Sequence, residues 1–273
     1  MMSIPAEAGG LDYFPCHYGA SKAVFRGPQR DLSRPYFAML GGSATFGKYV
    51  TRPYATLVEQ ALGCPVANLG ALNAGPDFYL QDSAALDIAA RARVAVVQVT
   101  GAEAMTNAYY SVHHRRNDRF LAATPALRDL FPRVDFTDIH FTRHLMQVLE
   151  RSDASAYDRL VAGLKQTWLD RMRLLLARLP DRRLLLWLAE GPPPDRAETL
   201  DPAPPFIDQP LLDALMPQVS GLVVATPSPR ARALQPLDMT YPETEAAQAA
   251  CLPGAAVHVE VADRLVPALQ RLM

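Results

Sequence analysis

Cysteine is scarce in this chain: Cys16, Cys64 and Cys251 are the whole supply among 273 residues. Three unevenly spaced thiols build neither a disulfide framework nor a C-x-x-C zinc ribbon, which favours a reducing compartment. Long apolar runs are missing too, since none approaches the roughly 20 residues that cross a bilayer. The start, Met1 to Gly10, has neither the basic nor the apolar region of a secretory leader. Net charge is also nearly absent, with 27 basic against 28 acidic side chains, so there is no global field to gather nucleic acid or an anionic membrane. Internal repeats are not found. These absences predict a cytoplasmic protein with no nucleic-acid or membrane partner.

What is present is core-forming material. Hydrophobic residues make up 49% of the chain, enough for one large α/β domain, and the 24 prolines fall between periodic segments as loop punctuation. Residues 1–35 lack periodicity and read as an arm. An apolar run from Tyr36 ends in Gly41-Gly42-Ser43 and predicts a first strand. Thr51 and Pro53 open a helix that stops at Gly63, Val66 to Leu69 is a second strand, and Asp77 or Asp82 caps a helix to about Arg91. Val94 to Thr100 is a β-branched strand of buried parallel type. This βαβαβ order predicts a doubly wound parallel sheet. Residues 102–155 loosen into an insertion, expected as a lid over the strand ends. A helix over 156–179, strands near 184–188 and 222–225 and a closing helix over 256–272 complete a single domain of about five strands.

The first strand delivers Ser43 to the carboxyl edge of the sheet, where open α/β folds keep their chemistry. Gly42 to Lys48 also fits G-x-x-x-x-G-K, the phosphate-loop pattern, which would make the chain a nucleotide- or phosphosulfate-dependent transferase. Tyr49 stands where that motif needs a Mg²⁺-binding hydroxyl. A helix starting at Gly47-Lys48 would also bury Pro53 in its interior, at about 3 kcal/mol.

The alternative is a tight glycine turn presenting a serine nucleophile. Leu40-Gly-Gly-Ser-Ala-Thr-Phe-Gly47 resembles the first sequence block of the SGNH (GDSL-type) hydrolases, with Gly42 in place of the usual Asp. Asn68-Leu-Gly70, Gly101 and His258 fall at points comparable to the later blocks. The strings F-R-G-P, L-G-G-S-x-T-F-G-K, N-x-G-P-D and R-R-N-D-R-F resemble an alphaproteobacterial branch of this superfamily, a likeness that assigns no reaction.

The superfamily resemblance implies a flavodoxin-like three-layer α/β/α fold and a cofactor-free serine esterase or acyltransferase. Its substrate would be a small or carbohydrate-linked acyl ester, neutral or anionic. Ser43 would attack, His258 would take the proton, and the oxyanion would meet N–H groups of Ser43 and Gly70. Glu103 stands where the family has its oxyanion asparagine, leaving Asn73 or Asn107 as donor. Ala255 stands where the histidine's aspartate belongs, leaving Asp238, Glu243 or Glu245 as orienter. These departures keep open a non-catalytic module of the same build that binds an anionic sugar or metabolite. His113, Arg115, Arg116 and Arg119, joined by Arg26 and Lys48, would form an anion-recognition patch on the lid. The histidines lack an accompanying acidic ligand pattern, so no metal site is expected.

Overall fold

The computed structural model describes residues 10–273, so the first nine residues of the arm, and the leader reading that rests on them, lie outside the described residues. Five strands, β1 (Phe37–Leu40), β2 (Val66–Asn68), β3 (Val94–Gln98), β6 (Arg183–Leu188) and β7 (Gly221–Ala225), pair in the order β2-β1-β3-β6-β7. Every pairing in that sheet is parallel. The order reverses at β1, so the crevice between β1 and β3 is the topological switch point where such sheets bind ligands.

Alternation along the strands makes the three layers, because successive strand side chains face opposite ways. Phe37, Met39, Val94, Val96, Leu184 and Leu186 pack beneath α2 (Tyr54–Leu62), α9 (Pro229–Ala233) and α11 (Ala255–Gln270). Ala38, Leu40, Ala95, Val97, Leu185 and Trp187 pack on the opposite face. That face is covered by α3 (Pro76–Gln81), α4 (Ser83–Ala90), α7 (Ala154–Leu176) and α8 (Gln209–Asp213). The expected three-layer α/β/α fold with a five-stranded parallel sheet is the fold observed.

Two local details differ from expectation, and a third selects between two stated alternatives. Ser43 does not sit on a bare turn but opens a one-turn helix, α1 (Ser43–Phe46), closed by Gly47 at φ +76°. The cap of α2 is Pro53 rather than Thr51, whose carbonyl instead receives Arg26 Nη2 at 2.9 Å. Of the two expected caps for the helix ending near Arg91, Asp82 is the one used: its carboxylate accepts Ala85 N–H and starts α4, while Pro76–Gln81 forms a separate short helix, α3.

Within 102–155 the loose stretch contains an antiparallel hairpin, β4 (Tyr110–His113) with β5 (Arg116–Ala123), then α5 (Pro125–Leu130) and α6 (Thr142–Ser152). The last short helix before α11 is α10 (Ala246–Ala249). Among the described residues no helix is long and apolar enough to cross a membrane.

Candidate functional site at the sheet switch point

The turn after β1 is held from below by buried polar groups. Gln98, the one polar residue in an apolar strand, accepts Gly42 N–H (3.2 Å) and the Thr45 hydroxyl (2.6 Å). Thr45 Oγ1 in turn accepts the Tyr54 hydroxyl at 2.7 Å. Tyr79 Oη accepts Gly41 N–H at 2.7 Å and lies within 2.9 Å of the Gly41 and Leu69 carbonyls. Asn68 Nδ2 donates to Thr45 O at 2.9 Å. Each link satisfies a group that would otherwise be buried unpaired, so the turn is preorganised rather than mobile. Gln98 and Tyr79 are absent from the sequence reading. A lone glutamine within Val94-Ala-Val-Val-Gln98 was the available signal.

Ser43 meets Asn73. Its Oγ donates to Asn73 Oδ1 and accepts Asn73 N–H, both at 3.1 Å. Asn73 has φ +55°, a left-handed conformation that asparagine tolerates better than most residues and that aims its amide back at the serine. Both residues reach solvent, and Ser43 Oγ and Asn73 Nδ2 together offer donors and acceptors at the switch point.

His258 lies elsewhere. It is the fourth residue of α11, and it is fully buried. Its Nδ1 accepts Tyr54 N–H at 3.0 Å, its ring stacks on Tyr54 at 5.6 Å, and Nε2 has no partner. Burial, aided by the Arg26 cation, lowers its pKa to about 3, so the imidazole is neutral. The expected Ser43–His258 hydrogen bond is not formed: Ser43 Oγ is bonded to Asn73 at the surface, and His258 is fully buried beside Tyr54 with Nε2 unpartnered.

The expected orienters are engaged as well. Asp238 Oδ2 accepts Ala256 N–H at 2.7 Å and so starts α11. Glu245 accepts the Tyr49 hydroxyl at 2.6 Å and pairs with Lys48 at 3.2 Å. Glu243 lies in a 3₁₀ turn, 243–245, and has no hydrogen bond to His258.

Other expected roles are also reassigned. Gly70 N–H donates to Asn68 Oδ1 at 3.0 Å and is not free for an oxyanion. Its lack of a side chain is steric, since a Cβ there would lie 2.3 Å from Phe46 N. Asn107 closes its own turn by accepting Tyr109 and Tyr110 N–H groups. Glu103 has a buried, unpartnered Oε2, and burial raises its pKa to about 7.

Arg26 is a buried anchor that donates to Gly47 O and Thr51 O and lies 5.1 Å over Tyr13. Lys48 is tied to Glu245 and to Gln248 (2.6 Å), while Gly47 and Lys48 N–H groups donate back to Ser43 O. The Gly47 and Lys48 amides are therefore not free for a phosphate. Arg119 stacks over Phe141 at 4.3 Å, leaving Arg115 and Arg116 exposed with His113 at the hairpin tip. The anion patch expected of these residues is thus divided between buried anchors and that tip. Among the described residues no group of three His, Cys, Asp or Glu side chains is placed to hold a metal ion.

Fold and site define a doubly wound α/β/α protein with a serine–asparagine pair at its switch point. The chain belongs to a family described as a domain of unknown function (DUF6473), whose model matches residues 1–273. No curated protein matches it. A crystal structure of a protein from Lactobacillus plantarum is 16% identical over 88% of this chain and 99% of that one. The two structures superpose with a TM-score of 0.36.

Proposed function

We propose that the protein is a binding module of SGNH-like build that holds a small hydroxylated, saccharide-type metabolite at the β1/β3 switch point without turning it over. The observation that carries this reading is the pairing of Ser43 with Asn73 while His258 is buried against Tyr54. A serine without a base keeps an ordinary alcohol's weak nucleophilicity, since such nucleophiles depend on an adjacent base. Hydroxyl and amide side chains are nevertheless suitable partners for ligand hydroxyls. Glu103 does not supply a neutral amide at the third oxyanion position, and Gly70 N–H is engaged by Asn68. Ligand-observed NMR with a panel of monosaccharides and polyols tests the reading. A saturable binder is expected that Ser43→Ala and Asn73→Ala each weaken by about tenfold, as loss of a contact worth ~1.5 kcal/mol would give. Binders indifferent to both substitutions would contradict it.

One observation favours the serine esterase or acyltransferase reading as second. Asn73 N–H already lies 3.1 Å from Ser43 Oγ, at the carboxyl edge where such a nucleophile belongs. That reading requires a base to reach Ser43, and it predicts a covalent acyl adduct on the serine.

A further inference from the structure

A cavity of about 320 Å³ opens beside α3 and α4, between the arm and the tip of the β4–β5 hairpin. Lys22, Ser83, His114 and Arg115 supply polar lining, and Phe78 supplies an apolar wall. Asp82 is the one carboxylate in the lining, and both its oxygens are occupied: Oδ2 accepts the Ser21 hydroxyl (2.5 Å) and Oδ1 accepts Ala85 N–H (3.0 Å). Lys22 and Arg115 have no ion-pair partner among the described residues. The formal balance is two cations against one hydrogen-bonded carboxylate.

The hairpin tip is built rather than loose. Asn117 is fully buried, accepts Gly75 N–H at 2.8 Å and donates to His113 O at 3.1 Å, which pins the tip to the start of α3. His113 and His114 stack at 4.7 Å, and His113 Nδ1 accepts the N–H groups of Arg115 (3.2 Å) and Arg116 (3.3 Å). The backbone carrying Arg115 is thereby fixed at the cavity mouth. A planar guanidinium and an ammonium across one cavity match a phosphoryl group, the first by paired N–H donors and the second as a point charge.

We infer that this cavity binds a phosphorylated small molecule, with its phosphoryl group between Lys22 and Arg115 and its body against Phe78. The site is independent of the Ser43–Asn73 pair, since neither residue lines the cavity.

Isothermal titration of the full chain with phenyl phosphate tests the site, with inorganic phosphate, benzoate and phenol as further probes. Saturable binding is expected for phenyl phosphate, weaker binding for inorganic phosphate, and none for phenol. Lys22→Ala and Arg115→Ala should each weaken phenyl phosphate about tenfold, while Ser43→Ala leaves it unchanged. Both replaced side chains are exposed, and circular dichroism checks that the fold persists. The inference is overturned by no saturation up to about 10 mM, by affinity unchanged in Arg115→Ala, or by loss in Ser43→Ala. Benzoate binding as tightly as phenyl phosphate would overturn the phosphoryl assignment.

Discussion

At the scale of single residues, the site is governed by which polar groups are already spoken for. His258 is neutral in the fold because burial lowers its pKa to about 3, whereas the exposed imidazole titrates near 6.5. The sign follows: the unfolded chain takes up the proton first, so the His258 contribution is full above pH 6.5 and is lost as pH falls toward 3. At pH 5 the loss is about 2 kcal/mol. Urea unfolding between pH 7.5 and 5 should show that loss in the wild type and much less of it in His258→Gln; identical pH profiles would contradict it.

Glu103 has the opposite dependence. Its pKa is raised to about 7 from 4.5, so its burial weakens the fold as pH rises through that interval. Glu103→Gln is expected to stabilise the protein at pH 8 by on the order of 2 kcal/mol and to change little at pH 4.5, as read by thermal melting. For Gly70→Ala, the contact with Phe46 N predicts a loss of about 1–3 kcal/mol from displacing α1. His258 also illustrates how much was legible. Its position as a histidine near the last helix was readable, but Val261, Ala262 and Leu265 lie three, four and seven residues on and mark its face of α11 as the core face.

At the scale of elements, the strands and the helices α2 and α11 were readable because their apolar periodicity is strong. The β4–β5 hairpin was not. Its strands have irregular register and carry Arg116, Asp118 and Arg119, so alternation is lost and only tertiary contacts define it. Asp82 was readable as a helix cap, but the separate turn of α3 ahead of it was not, since Asp77 and Asp82 carry the same capping signal. The loop after α1 gives a prediction of its own. Tyr49 has φ +68°, a conformation costing roughly 1–3 kcal/mol for a bulky residue. It is compensated by the hydrogen bond its hydroxyl donates to Glu245 (2.6 Å), with Gln248 Oε1 also within 2.7 Å. Tyr49→Phe should therefore release α10 from the loop, raising amide exchange across 240–250 while the strands keep their protection. Unchanged exchange there would show that the segment is held by other contacts.

At the scale of the whole molecule, the sheet order β2-β1-β3-β6-β7 brings β1 and β3 together and puts Ser43, Gln98 and the loop after β3 at one edge. The parallel sheet and Ser43 at its carboxyl edge followed from the βαβαβ pattern; Gln98 beneath the turn did not. Which side chains would meet at the edge did not, because it depends on φ at Asn73 and on the face α11 presents, neither of which strand periodicity specifies. The same architecture can carry a reactive serine or a binding one, and the difference lies in whether a base reaches Ser43. Labelling with a fluorophosphonate probe, read by intact mass beside an active serine esterase as control, tests this most directly. The account predicts no Ser43-dependent adduct under conditions that label the control fully. A stoichiometric adduct that disappears in Ser43→Ala would contradict it.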